Sequence, residues 1–462
     1  MQQDNPVLKM EAVEAVIIIL ILLGVISYAM IGLGVVPHIP IILGIIGLLA
    51  YGLLKKASIK ELEIGMKNGV QSGVGAIFIF FFIGMLISSW IASGTIPTFI
   101  YVALNLNGNQ YFYAVVFLVT SIIGLFIGSS LTTAATLGVT FISVATALDL
   151  SLAITAGAVV SGAFFGDKLS PLSDTTNLSS MVVGVDLFDH IKNMLWTTVP
   201  AFILSFVLFM ALSPGEQITN IEKLDELKKM LLEMNFVHWY SIIPFLLLAI
   251  MAVKKVSAIV TLGTSTITAL LLSLLVQQNI NFEKTLSLLY FGYKSETGNA
   301  EIDSLLTRGG MESMMFSISL VILALSMGGL LLKLGIISAL LEGIKIYLIK
   351  PSVLICSTAL SSIGVNLLMG EQYLSILLPG NTFVQSYKEA NLHPKNLSRV
   401  LEDAGTVVNP LVPWSVCGIF LTGVLGVPTI EYALFAFFCL FSPILTVIAG
   451  ITGLSITKIK KL

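Results

Sequence analysis

The sequence predicts an all-α polytopic membrane protein made of two inverted-topology repeats with broken helices or re-entrant hairpins. Three observations lead there: an apolar composition, a succession of membrane-length apolar runs, and a residue pattern that returns at a fixed offset. Of 462 residues, 56% are hydrophobic and 11% charged, with a mean hydropathy of +0.98. A soluble domain carries about 25% charged residues, so this chain has too little polar surface to face water all round. A bilayer core about 30 Å thick takes about 20 apolar residues per helix, which gives the chain room for roughly ten to twelve spans.

The apolar runs of the first half cover about 13–36, 38–54, 73–93, 96–104, 111–128, 131–148 and 194–213. Those of the second cover about 238–253, 256–277, 314–332, 335–349, 351–369, 372–386, 411–426 and 430–451. Between them Glu216 to Glu233 carries Glu222, Lys223, Asp225, Glu226, Lys228 and Lys229, the composition of a solvated amphipathic helix. The expected organisation is therefore a first transmembrane repeat over 1–215, an amphipathic linker over 216–236 and a second repeat over 237–462.

Sliding the chain along itself makes the repeat explicit. Asp167-Lys168-Leu169-Ser170-Pro171-Leu172-Ser173 and Asn409-Pro410-Leu411-Val412-Pro413-Trp414-Ser415 share [DN]-x-L-x-P-x-S at 409 − 167 = 242. In the same register Gly128 and Gly138 fall on Gly370 and Gly380, and one residue off it Lys67, Gly69 and Ser72 fall on Arg308, Gly310 and Ser313. Internal duplication is how many secondary transporters are built. Short cytoplasmic loops favour Lys and Arg, which puts Lys55, Lys56, Lys60 and Lys67 inside. The corresponding stretch, 283–308, adds Glu283, Glu296, Glu301 and Asp303 to Lys284, Lys294 and Arg308 and is assigned outside, so the repeats are expected to be inverted, with both termini cytoplasmic.

Other classes are excluded by composition. A net charge of −2 without a long basic run gives no footprint for nucleic acid. Cys356, Cys417 and Cys439 sit in apolar runs without CxxC spacing and read as core residues. The first apolar run follows Asp4, Glu11 and Glu14 and is expected to be retained as a helix rather than removed as a signal peptide. The histidines and Trp90, Trp196 and Trp239 read as segment-end and interfacial residues.

The chemistry concentrates where the spans break. Residues 161–180 place Gly162, Gly166 and Pro171 among Asp167, Ser170, Ser173, Asp174, Thr175, Thr176 and Asn177. Irregular backbone at membrane depth is tolerated only where it is packed in protein or lines a cavity. Freed carbonyls, hydroxyls and carboxylates are the oxygens a hard cation such as Na+ takes. An acid at that depth is costly unless it is paired or protonated, so one carboxylate competing for Na+ and H+ would exchange them. The expected cation ligands are Asp174, Thr176 and Asn177. Lys168 reads as a counter-ion to Asp167 or Asp174.

The second break has Glu402, Asp403, Thr406 and Asn409, with Glu371 beside Gly370. Asn409 replaces Asp167 and cannot carry a proton, which leaves the proton to Asp167 or Asp174. No cofactor is called for, the transported species being Na+ and H+. Membrane lipid, a second copy of the chain and a small organic acid are the other candidate partners.

The run Gly166-Asp167-Lys168-Leu169-Ser170-Pro171-Leu172-Ser173-Asp174-Thr175-Thr176-Asn177 resembles the signature of the NhaC family of Na+/H+ antiporters. Arg308-Gly309-Gly310-Met311-Glu312-Ser313-Met314 and Leu401-Glu402-Asp403-Ala404-Gly405-Thr406 also look like family motifs. The resemblance implies a bacterial or archaeal plasma-membrane carrier that moves Na+ against H+ through paired hairpins. Two positions depart from it: Ser415 where the family often has Asn, and Glu371 where Asp is expected. Similar relatives exchange malate and lactate or move amino acids, which makes an organic-acid or amino-acid exchanger the alternative. An intramembrane aspartyl protease, suggested by Gly166-Asp167, would need glycine at Phe164.

Overall fold

The computed structural model describes residues 6–105, 109–214, 228–233, 235–254, 256–276, 282–299, 303, 306–345 and 350–459. The chain is helical throughout these residues apart from two isolated β-bridges and the turns between helices. Among them, eight helices are long and apolar enough to cross a membrane, or up to ten when each of two bent pairs counts as one span. Most of the expected linker, 215–227 and Met234, lies outside the described residues, whereas Lys228 to Glu233 is helical.

The first half runs through α1 (Ala12–Ser27), α2 (His38–Leu54), α3 (Ile59–Ser72), α4 (Val74–Ala92), α5 (Thr95–Asn105), α6 (Phe112–Ile127) and α7 (Ser130–Ala147). It closes with α8 (Leu152–Leu169), α9 (Asp174–Val183) and α10 (Leu187–Leu212). The second half contains α11 (Trp239–Ala252), α12 (Ala258–Val276), α13 (Phe282–Phe291), α14 (Met311–Lys333), α15 (Ile336–Lys345), α16 (Pro351–Met369) and α17 (Gln372–Glu389). It ends with α18 (Lys395–Leu411), α19 (Val416–Leu425), α20 (Thr429–Phe435) and α21 (Phe437–Thr452). The 242-residue register holds at both ends of α7 against α17 and of α9 against α19.

The halves also cross reciprocally. Helix α9 of the first packs on α17 of the second, while α19 of the second packs on α7 of the first. A Cβ on Gly138 would meet Val159 and Leu425; one on Gly380 would meet Leu401 and Val182. Val159 and Leu401 are themselves 401 − 159 = 242 apart. Each half thus supplies a short helix to the core of the other, and the two breaks are brought together at the crossing.

Three elements differ from the sequence expectation. The apolar runs skip 149–193, yet α8 is an unbroken 18-residue helix and its break is confined to Ser170–Ser173. Half of the 18 residues of α8 are Gly, Ala, Ser or Thr, which lets it pack closely on its neighbours. Its Gly162 and Gly166 lie so close to α6 that added Cβ atoms would fall 1.9 Å from Thr120 Oγ1 and 2.4 Å from the Leu125 nitrogen. The lysine-bearing stretch after Lys55 forms α3, started by a reciprocal Ser58–Glu61 cap. Trp90 and His190 are buried rather than interfacial, and the Trp90 indole donates to Ser265 Oγ at 3.0 Å.

Candidate functional site

Both breaks are built by the same local chemistry. Gly128 ends α6 and Gly370 ends α16 in the left-handed region, each at φ 67°, a turn that glycine makes without Cβ strain. The next residue caps the following helix: Ser129 accepts from the Thr132 N–H, and Glu371 from the Leu374 N–H at 2.9 Å. The breaks repeat the device, Ser173 accepting from Thr176 N–H at 3.4 Å and Ser415 from Gly418 N–H at 2.9 Å. Gly128 packs on Ser170 and Leu172, and the Gly370 carbonyl accepts from the Val416 N–H at 2.8 Å. Glu371 therefore holds a helix end as well as carrying an acid into the interior, where it is 4% exposed.

The signature acids separate. Asp174 begins α9 and is exposed, whereas Asp167, in the last turn of α8, is 5% exposed and faced by Ser130 and Ser173. The three expected cation ligands are engaged differently from one another. Thr176 is buried and donates to the Lys168 carbonyl at 3.0 Å; the Asn177 amide donates to the Pro171 and Ser173 carbonyls at 3.0 and 2.7 Å. Both side chains hold the hairpin in shape. Ser170 and Ser173 do likewise, through the Leu172 N–H and the α9 cap.

Lys168 points to neither Asp167 nor Asp174. Its ammonium forms an ion pair with Asp403 of the other half, and both residues are 0% exposed. The ammonium also lies over the Phe438 ring, 5.4 Å from its centroid. Asp403 accepts further from Thr197 Oγ1 of α10 at 2.8 Å and from Thr446 Oγ1 of α21. Four elements from both halves thus converge on one carboxylate.

Among the described residues its neighbour, Glu402, has no cationic contact of this kind. Within α18, Glu402–Thr406 forms a π-helical turn, closed by the Val407 N–H on the Glu402 carbonyl. Such turns carry one extra residue and are frequent at functional sites. It sets Glu402 on α9, where its carboxylate accepts from Thr175 Oγ1 at 3.1 Å and Ser179 Oγ at 2.5 Å. Thr406 is buried in the same turn. Glu402 and Asp167 lie within electrostatic reach of each other, and Asp167 also reaches Cys417 and Tyr373, which Glu371 reaches too. Asp174 reaches Tyr373 from the exposed end.

In the second half Asn409 is held from both ends: its amide donates to Asn366 Oδ1 at 2.8 Å and its oxygen accepts from the Cys417 N–H at 3.0 Å. Asn366, Ser179, Thr197 and Thr446 escape sequence reading because single polar residues in apolar helices carry no pattern. Ser179 alone had a signal, lying one turn beyond Thr175 on the same face of α9.

Broken helices in two repeated halves, meeting over buried acids, define a secondary ion transporter. Residues 162–454 match the Na+/H+ antiporter family. The chain is 41% identical to the Na(+)/H(+) antiporter NhaC of Alkalihalophilus pseudofirmus, over 95% of each chain. It is 39% identical to the Bacillus subtilis Na(+)/H(+) antiporter NhaC, over 90% of this chain and 93% of the relative. It is also 32% identical to the Malate-2H(+)/Na(+)-lactate antiporter of Bacillus subtilis, over 86% and 85% respectively. The chain belongs to the Na+/H+ antiporter family.

Proposed function

We propose that the chain exchanges Na+ for H+ across the plasma membrane by alternating access, and that Asp167 and Glu402 are the groups for which the two ions compete. The observation that carries this reading is a charge count among the described residues. Four carboxylates, Asp167, Glu371, Glu402 and Asp403, are buried at the crossing against two cations, Lys168 and Arg399, and the Lys168 ammonium is committed to Asp403. A bare carboxylate without water or a partner is expensive. Asp167 and Glu402 therefore each call for a proton or a share of a cation, and hydroxyls from Ser130, Ser173, Thr175 and Ser179 stand ready to complete a Na+ shell. One acid comes from each half, so a relative movement of the halves changes the pair. Asp174, with Tyr373, stands at the exposed approach and gathers cations toward the pair.

Asp167 and Glu402 face hydroxyls and make no ion pair among the described residues, which favours an inorganic cation over an organic acid. The test uses proteoliposomes with an internal pH dye, given Na+, Li+, K+, malate and lactate separately. Na+-driven alkalinisation is expected, and Glu402→Gln and Asp167→Asn, which keep shape and most hydrogen bonds, abolish it in folded protein. Proton movement driven by organic acids alone, or full exchange by both variants, overturns the reading.

A further inference from the structure

One buried cation has no place in the exchange just described. Arg399 lies on α18 one helical turn before Asp403, and is 0% exposed. Its Nη1 donates to Ser455 Oγ at 2.9 Å, while Nε and Nη2 have no hydrogen-bond partner among the described residues. These two nitrogens form the edge of the guanidinium that grips a carboxylate side-on with two parallel bonds. A buried charge with open donors is costly, and its presence calls for an acceptor in some state of the protein.

Besides the buried Tyr387 hydroxyl, a carboxylate within reach is already on the same helix. Residues i and i+4 share a helix face, and the backbone is α-helical through Glu402, whose N–H bonds the Ser398 carbonyl. Asp403 lies within electrostatic range of Arg399. The π turn starts one residue earlier, at Glu402, so a shift of its extra residue along α18 would re-aim Asp403.

We infer that Arg399 is the second partner of Asp403: the carboxylate is held by Lys168 in the state described here and passes to Arg399 when the halves separate. Lys168 belongs to the first half and Arg399 to the second. Their exchange of one carboxylate cuts the ionic tie between halves without ever leaving that carboxylate bare. Lys168, released, is left beside Glu402, the neighbouring acid in whose field it already lies. Arg399 acts as a positioning residue, and its part in transport rests on the exchange function proposed above, while the change of partner is a property of the fold alone.

The experiment is a two-by-two cycle of Arg399→Gln and Asp403→Asn in the purified full chain, read by deuterium uptake in the 395–407 segment. Arg399→Gln should slow opening of this segment by about fivefold or more in the wild-type background and by less than about twofold beside Asp403→Asn. In proteoliposomes it should lower the maximal rate about tenfold with Na+ half-saturation almost unchanged, and Arg399→Lys should recover part of the rate. Where Arg399→Gln does not fold, Arg399→Lys is carried through the same cycle, with a smaller slowing that again disappears beside Asp403→Asn. Equal slowing in both backgrounds, or none, overturns the change of partner. A wild type that shows the cycle but no Na+-driven proton flux would overturn the function instead.

Discussion

Replacing Lys168 by Met removes the ammonium while keeping a long apolar stem against Phe438. Asp403 then stays between Thr197 and Thr446 as a fully buried acid without its charge partner. Breaking a buried pair from one side costs about 3–5 kcal/mol, mostly the penalty of the charge left behind. Whole-protein stabilities are about 5–15 kcal/mol, so this is a large fraction. Arg399 offers a second partner one turn away, which places the loss near the lower end, about 3 kcal/mol; it should deepen in a Lys168→Met/Arg399→Gln background. Lys168→Met/Asp403→Asn leaves no charge behind and should recover about 2–3 kcal/mol of the loss, so that the double variant costs less than the sum of the two single ones. Denaturant titration in detergent, followed by helix content and the monodisperse fraction, measures all four proteins of the cycle. Asp167→Asn beside Lys168→Met gives no rescue, because Lys168 does not pair with Asp167. Wild-type stability for Lys168→Met, or rescue by Asp167→Asn in place of Asp403→Asn, would refute the cross-repeat pairing.

Ser179→Ala removes one of the two hydroxyls on Glu402 and should weaken apparent Na+ affinity about three- to tenfold while leaving the maximal rate near wild type, as expected for a neutral ligand whose loss costs about 1 kcal/mol. An unchanged half-saturation would take Glu402 out of the cation shell. Gly166→Ala puts a methyl group 2.4 Å from the Leu125 backbone nitrogen and should cost about 1–3 kcal/mol or more, visible as a lowered unfolding midpoint with transport retained in whatever folds. Cysteines replacing Lys60 and Glu296, both exposed, should label from opposite faces of sealed vesicles if the repeats are inverted. Labelling of both from one face would leave a tandem repeat without inversion.

Of the eight membrane-length helices described, the sequence exposed seven, the enclosed α7 among them, and hid α8. Helix α2 is rich in large apolar residues, with Leu43, Ile46 and Leu54 exposed, and its bounds follow from hydropathy. Helix α8 touches α6, α10 and α21 and is built largely from small residues, a composition that hydropathy reads as a weak segment. The site divided along the same line. Asp167, Glu402 and Asp403 were legible as charges where none belongs, because a bilayer makes them conspicuous. Who pairs with whom was not: Lys168 and Asp403 are 235 residues apart, and nearness in sequence pointed to Asp167 or Asp174. Long-range pairing is decided by the reciprocal crossing of the halves, which no local pattern encodes.

That crossing also explains why the two copies of one motif have diverged. In the second half Asn409 is closed by Asn366 and the Cys417 N–H, so both ends of its amide are used in holding the break together. Asn366 corresponds in register to Gly124, 366 − 124 = 242, and glycine offers the Asp167 side no such amide. Nor could a larger residue stand there easily, since a Cβ on Gly124 would already lie 3.2 Å from the Ala163 carbonyl. The first break consequently keeps an ionisable residue with hydroxyls for company, and the second keeps a neutral one with its hydrogen bonds in place. A symmetric pair of aspartates would add a fifth buried acid against the two buried cations, whereas two fixed amides would leave Glu402 without its proposed partner. Duplication supplied the matching geometry, and on the exchange proposed above the acid at 167 is left to its ion while the amide at 409 holds the frame beside Glu402.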